Sequence, residues 1–423
     1  MSGATKILMG SGGGVDLPSD DEFDNVSFLS HFDGANNGTN IVYDDGSTSN
    51  HTITTAGNVS QGSFGPFARV DGEWSNHFGG GTRGSSHLQT AIQAASSSDF
   101  TLDGEYTIEF FVRLNSTANQ YFFAIGDTIN ANDMELGLLS GTTLRLYQGG
   151  YKVFSTGSPL TVGVWHHVAV TRNGSDLVTC WVDGTALGAT FTVTADADGT
   201  ATVGASLYNG AFQDSCLGYI SNFRILKGTC LYTGNFTAPT TALTAITNTK
   251  LLTCQSNQFK DNSASAHVIT KNTTGGGWTP SISAFTPILT SKGYDTAVNG
   301  ASAFFPGTGS EYLSAADSAD WNLGDTFTIE AWVNPYQNEA LNTVIEQNGS
   351  SGFYYSVVGN PPTSMQFYQG IGSAVTSNSA TVTQMNEQWN HVAFVVSSGT
   401  GYHYINGVRS GSSASGIDIG DIS

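Results

Sequence analysis

The feature that most restricts the fold is an internal repeat. Thr107-Ile-Glu-Phe-Phe-Val112 matches Thr328-Ile-Glu-Ala-Trp-Val333, and Leu144-Arg-Leu-Tyr-Gln-Gly149 matches Met365-Gln-Phe-Tyr-Gln-Gly370, both at an offset of 221 residues. Trp165-His-His-Val-Ala169 matches Trp389-Asn-His-Val-Ala393 at 224, and Trp181-Val-Asp-Gly184 matches Tyr404-Ile-Asn-Gly407 at 223. Landmarks in one order at one spacing require a single architecture built twice. The first copy is expected over 25–240 and the second over 241–423, preceded by an N-terminal arm, 1–24.

Within each copy the periodicity is that of strands. Thr107–Leu114, Thr142–Gln148, Val164–Thr171, Leu177–Val182 and Tyr219–Leu226 are expected strands. Asn173-Gly174, Asp183-Gly184 and Asn406-Gly407 are expected hairpin turns, because a type I′ turn needs positive φ at two successive residues. Helical spacing is confined to Ser86–Ser97, where one or two turns are expected. Many short strands without a βαβ rhythm mean an all-β sandwich or jelly roll. On Trp165–Thr171, His167 and Ala169 share one face and His166, Val168 and Val170 the other. In the second copy Asn390, Val392, Phe394 and Val396 take the latter face. Apolar residues on both faces mark a central strand covered on both sides.

After Asp183-Gly184 the first copy continues through Leu217-Gly-Tyr-Ile-Ser-Asn-Phe-Arg-Ile225. The second has 16 residues after Gly407 and no such segment. A C-terminally incomplete second sandwich follows, either within a longer polypeptide or completed by a neighbouring chain's strand. In the arm, Ser11-Gly-Gly-Gly14 and the acidic Pro18-Ser-Asp-Asp-Glu-Phe23 cannot build a core. It is read either as an anchor ordering against other proteins or as simple disorder.

Charge excludes one class of partner. With 14 Lys+Arg against 34 Asp+Glu, the net charge of −20 offers no nucleic-acid footprint. No apolar run reaches the length of a membrane span. The start carries no signal-peptide pattern, which implies release by a route other than ordinary secretion. Cys180, Cys216, Cys230 and Cys254 have no metal-binding spacing and are read as buried free thiols, with a Cys216–Cys230 bridge left open.

The repeat landmarks resemble laminin-G-like, concanavalin A-type jelly rolls: Tyr106-Thr-Ile-Glu-Phe-Phe-Val112, Trp165-His-His-Val-Ala-Val-Thr171, Trp181-Val-Asp-Gly184 and Leu217–Ile225. The resemblance implies two tandem concanavalin A-like sandwiches behind a flexible arm. The openings of the copies resemble laminin-G-like modules in virion proteins of tailed bacteriophages. These are Val26-Ser-Phe-Leu-Ser-His-Phe-Asp-Gly34 with Gly62-Ser-Phe-Gly-Pro-Phe67, and Lys250–Asn257 with Phe259-Lys-Asp-Asn-Ser263. That implies a tail-fibre or capsid-fibre component in the virion. Its arm would contact other virion proteins, its sandwiches host-surface carbohydrate, and its assembly would be a homo-oligomer, with a trimer favoured. A capsid decoration protein and a secreted bacterial adhesin are the alternatives.

Glycoside hydrolases share this fold, so carboxylate pairs matter. Glu105 and Glu109 share a strand face with Thr107 between them. The aspartates of Ile417-Asp-Ile-Gly-Asp421 fall on opposite faces. Neither is a catalytic pair, and no enzymatic activity is expected. His166 and His167 point to opposite faces and cannot chelate one ion. Only His167 recurs, as His391, and it reads as a hydrogen-bonded structural histidine. The resemblance implies calcium at a sandwich rim, with Asp127, Asn132 and Asp133 as candidate ligands in a loop otherwise read as a solvated turn. Trp74 with Asn76, and Tyr208 with Asn209, have the aromatic-plus-amide composition of sugar sites, against core packing as the plainer reading.

Overall fold

The computed structural model describes residues 23–420 other than 31, 33–46, 58, 63, 67–68, 82–88, 127–132, 140–141, 275–279, 289–301, 308–310, 336–340, 348–351, 360–361, 371–372 and 379–384. Most of the expected arm and the candidates Asp127 and Asn132 lie outside the described residues. The described elements are strands and three short 3-10 turns. Among the described residues no helix is long and apolar enough to cross a membrane.

The chain forms two compact units, Val70–Thr290, and Met1–Arg69 with Ser291–Ser423. The first contains a fifteen-stranded hydrogen-bonded network folded into two facing layers. One layer runs Thr185–Thr192, Leu177–Val182, Trp165–Arg172, Tyr106–Leu114, Ser215–Lys227, Thr249–Thr253. The other runs Ile269–Thr274, Gln89–Ala94, Ala201–Val203, Gln120–Ile125, Met134–Leu139, Thr143–Gln148, Tyr151–Ser155. Alternation explains the core between them. Ile108, Phe110 and Val112 point inward from one layer, and Leu136, Leu138, Leu144 and Leu146 from the other, all 0% exposed. Phe110 meets Phe122 and Phe123 across the gap at ring separations of 5.8 and 6.2 Å.

The first unit corrects three sequence expectations. Gln89–Ala94 is a strand, not helical turns, because it is hydrogen-bonded on both sides, to Ala201–Val203 and to Ile269–Thr274. Asn173-Gly174 does not form a type I′ turn. The Asn173 side chain accepts the Ser175 and Leu177 amides and the left-handed residue is Asp176. Finally, the chain does not divide at 240/241. Thr249–Thr253, Ile269–Thr274 and Ser281–Ser283 are strands of the first unit, pairing with Ser215–Lys227, Gln89–Ala94 and Ser75–Gly81. Residues 25–69 group with the second repeat instead.

Asp183-Gly184 and Asn406-Gly407 do have positive φ at both positions, at 50° and 78° and at 51° and 77°. Each also ties its hairpin to the next strand: Asp183 Oδ1 accepts the His167 amide, and Asn406 Oδ1 the His391 amide, both at 2.9 Å. That bond links two of the repeated sequence landmarks physically.

The second unit has two four-stranded sheets. One is Phe327–Val333, Asn390–Ser397, Thr400–Ile405, Val408–Ser415; the other is Leu341–Gln347, Phe353–Val358, Ser364–Gln369, Ser373–Asn378. Val392, Phe394 and Val396 fill the core between them with Tyr355, Met365 and Phe367. Two further pairs involve the chain's beginning: Ile53–Ala56 with Tyr312–Ala315, and Ser60–Gly62 with Ser302–Phe304. Among the described residues Phe327–Val333 pairs only with Asn390–Ser397, whereas its counterpart Tyr106–Leu114 lies between Trp165–Arg172 and Ser215–Lys227. The second sandwich therefore has one strand edge that the first has covered.

Candidate functional site

The repeated Glu109 and His167 face away from the sandwich core, yet both are buried. The segment after Ser215–Lys227 covers them. His167 Nε2 lies 3.1 Å from Glu109 Oε2, which also accepts the Tyr232 hydroxyl at 2.8 Å. Arg224 donates to Glu109 Oε1 from Nε at 3.0 Å and Nη2 at 2.5 Å, and its Nη1 reaches the Thr244 carbonyl at 2.7 Å. Tyr232 and Phe236 stack at 3.6 Å, with Phe236 edge-on to His167. Burial alone raises the Glu109 carboxyl's pKa, but His167 and Arg224 outweigh it and hold the group below the usual carboxylate range. Both carboxylate oxygens are thus engaged, and Glu105, four residues away, is exposed. This is a structural clamp in which His167 has the hydrogen-bonded role expected of it. The counterpart His391–Glu330 pair, at 3.2 Å, leaves the Glu330 side chain 63% exposed.

The face with the chemistry of a binding surface lies on the opposite layer. Alternation on Met134–Leu139 and Thr143–Gln148 sends Leu136, Leu138, Leu144 and Leu146 inward and turns Glu135, Gly137, Arg145 and Tyr147 outward. Register then aligns them in two rows: Tyr121, Gly137, Arg145 and Val153, and Ala124, Glu135, Tyr147 and Tyr151. Tyr147 and Tyr151 meet edge to face at 5.1 Å, and the Arg145 guanidinium sits 4.0 Å above the Tyr151 ring. Tyr151 remains 51% exposed and Val153 38%. Gly137 provides the floor; a Cβ there would lie 2.6 Å from the Tyr121 ring. Burial pushes the Tyr121 hydroxyl up to about 12 and raises the Glu135 carboxyl, whose Oε2 accepts Ser206 Oγ at 2.5 Å.

The second unit carries a related surface, matched at the positions of Arg145 and Tyr147. Tyr368 corresponds to Tyr147, and it stacks on Tyr354 of the adjacent strand at 4.6 Å and 25°. Gln366 takes the place of Arg145. Each repeat therefore presents a partly exposed tyrosine pair beside a long hydrogen-bonding side chain; Tyr147 and Tyr368 hold equivalent strand positions, but Tyr151 lies on the strand that follows and Tyr354 on the strand that precedes.

The sequence-predicted sugar residues separate. Trp74 and Asn76 are each 1% exposed on or beside the Ser75–Gly81 strand, so neither has a face open to a ligand. That strand lies between Ser215–Lys227 and Ser281–Ser283, a partner assigned in sequence to the other copy. Tyr208 and Asn209 do come together at a hairpin tip, Ser206–Tyr208 with Ala211–Gln213, where Tyr208 is 37% exposed and Asn209 is left-handed at φ 51°. This hairpin packs against the Gln120–Ile125 and Gln89–Ala94 strands. Of the calcium candidates only Asp133 is described, and it is buried. Among the described residues no three His, Cys, Asp or Glu side chains are placed to hold a metal ion. All four cysteines are free; Cys180, Cys216 and Cys254 are buried and Cys230 half-buried. The sequence reading missed Tyr147 and Tyr151, although the alternation of Leu144-Arg-Leu-Tyr-Gln148 already sets Arg145 and Tyr147 on one face.

A family model described as the concanavalin A-like lectin/glucanases superfamily, of laminin-G type, matches residues 84–230 and 307–421, together more than half of the chain. The chain belongs to this superfamily. Its two matched regions contain the two sets of repeated landmarks. Among solved structures, a native heptameric pentraxin from Limulus polyphemus is 18% identical over 39% of this chain and 81% of that one, with a TM-score of 0.32. Domains LG4-5 of the mouse laminin alpha1 chain are 11% identical over 82% of this chain and 80% of theirs, at 0.31. The enzymatically active domain of bacteriophage CBA120 tailspike protein 2 is 16% identical over 32% of this chain and 24% of that one, at 0.24. These likenesses concern the fold alone. No curated protein matches the chain.

Proposed function

We propose that this superfamily member is a non-enzymatic virion appendage, a tail-fibre or capsid-fibre component, whose two repeats attach to host-surface glycans. The supporting observation is the outward tyrosine at equivalent strand positions of the two repeats, Tyr147 and Tyr368, each packed against a second tyrosine of an adjacent strand, Tyr151 and Tyr354. A tyrosine ring supplies an apolar face for a sugar's C–H groups while its hydroxyl, with Arg145 or Gln366, serves the sugar's hydroxyls. The acidic chain, at −20, repels polyanions and favours neutral glycans. Each face is shallow and weak alone; displaying many copies raises avidity by roughly 10²–10⁴. The virion placement rests on the resemblance of the two copy openings.

Glycan arrays probed with the whole chain test the binding. Tyr147→Ala and Tyr368→Ala should each weaken binding about tenfold, on the order of 1.4 kcal/mol, without lowering the melting temperature. Binding unchanged in the double variant would remove these faces from the function. Immunogold labelling of intact particles tests the placement: label on projecting fibres is expected, and particles without label would overturn the virion reading.

A further inference from the structure

Each repeat is completed by a leader segment lying outside the stretch that defines it, and the two leaders dock alike. His267-Val-Ile-Thr270 and His51-Thr-Ile-Thr54 are equivalent sequences. The His267 ring packs on Phe100 at 4.8 Å, with Nε2 3.2 Å from Asp99 Oδ2. The His51 ring stacks on Trp321 at 4.4 Å, with Nε2 3.4 Å from Asp320 Oδ2. The receiving turns, Ser98–Phe100 and Ala319–Trp321, are capped identically by Ser97 and Ser318. After each histidine come two strands. Ile269–Thr274 and Ser281–Ser283 pair with Gln89–Ala94 and Ser75–Gly81 of the first repeat. Ile53–Ala56 and Ser60–Gly62 pair with Tyr312–Ala315 and Ser302–Phe304 of the second.

The order along the chain differs. The leader of the second repeat follows the repeat that it completes. The leader of the first repeat instead precedes the repeat whose surface it fits, the second. We propose that this leader, Ile53–Ala56 and Ser60–Gly62 with His51, also docks on the second repeat of another copy, so that copies join head to tail. The contacts are the same whether the surface belongs to the leader's own chain or to another, which is the condition under which segments exchange at little cost. Leader and receiving surface are different patches, so the joint is heterologous: reciprocal exchange closes a two-fold dimer, and one-way exchange builds a larger ring or an open string.

The register supplies the test. Thr54 and Ser314 are exposed partners whose hydroxyl oxygens lie 2.7 Å apart, a spacing that suits a cross-strand disulfide. Full-length chains carrying Thr54→Cys alone and Ser314→Cys alone are mixed, unfolded, refolded together and oxidised, and the bond is mapped by mass spectrometry. A 54–314 bond between chains is expected, with a yield that rises with protein concentration and is absent when either variant is treated alone. Sedimentation of the unsubstituted chain should show species above 44.3 kDa growing with concentration, and Trp321→Ala should diminish them. The proposal is overturned if the bond forms only within a chain carrying both substitutions. It is equally overturned if large species persist unchanged in the Trp321→Ala chain.

Discussion

Replacing Glu109 by Gln preserves its size and removes its charge. The side chain is fully buried, and its Oε1 receives two donors of an Arg224 guanidinium that is itself 6% exposed. The substitution leaves that cation buried without a counter-charge, which costs about 3–5 kcal/mol. For a unit of about 220 residues, each kcal/mol corresponds to roughly 2–4 °C, so the transition of the Val70–Thr290 unit should fall by about 6–20 °C. Glu330→Gln is the internal control. Its carboxylate is mostly exposed and pairs with His391, an interaction worth about 0–1 kcal/mol, so its unit should move by at most about 4 °C. Scanning calorimetry of the two full-length variants resolves the difference. A second arm replaces Glu109 and Arg224 together by Leu and Met, which should recover much of the loss because no lone buried charge remains. Equal shifts for Glu109→Gln and Glu330→Gln would refute the argument that burial, not the pair itself, sets the cost.

Acid should reach the same clamp. The folded pKa of Glu109 is depressed below the unfolded value, so its contribution is complete above about pH 4.3 and is lost as pH falls through the folded value; a pH series of melting temperatures checks this, and Glu109→Gln should flatten it. Gly137→Ala places a Cβ 2.6 Å from the Tyr121 ring and 2.7 Å from the Gln120 carbonyl, and should cost about 1–3 kcal/mol by overpacking in a denaturant titration. Burial pushes the Cys180, Cys216 and Cys254 thiols up, whereas Cys230 is only half-buried; native alkylation mapped by mass spectrometry should modify Cys230 first and the others only on unfolding.

What could be read from the sequence follows from the range of each interaction. Strand positions and inward faces were legible because alternation is local; Trp165–Arg172 and Tyr106–Leu114 form where the pattern places them. The pairing of Glu109 with His167 was foreshadowed by their recurrence as Glu330 and His391. Arg224 and Tyr232 were not, because they stand 115 and 123 residues from Glu109 and nothing local marks them as its partners. Trp74 has the composition of a surface sugar site, yet burial depends on neighbours: Ser215–Lys227 and Ser281–Ser283 flank the strand beside it. The unit boundary was misplaced for a related reason. A leader segment resembles the opening of the copy that it precedes in sequence, and only strand pairing reveals which repeat it completes.

That pairing also sets a timetable for synthesis. The first repeat cannot close when its own last residues leave the ribosome, because its edges await strands as late as Ser281–Ser283. The wait of the first leader is longer: Ile53 pairs with Ala315, 262 residues downstream. At 5–20 residues per second this is roughly 10–50 s during which the Ile53–Ala56 strand lacks the edge that it pairs with. On a polysome, where the nascent chains of one transcript stand close together, a neighbouring ribosome's product is within reach for that whole interval.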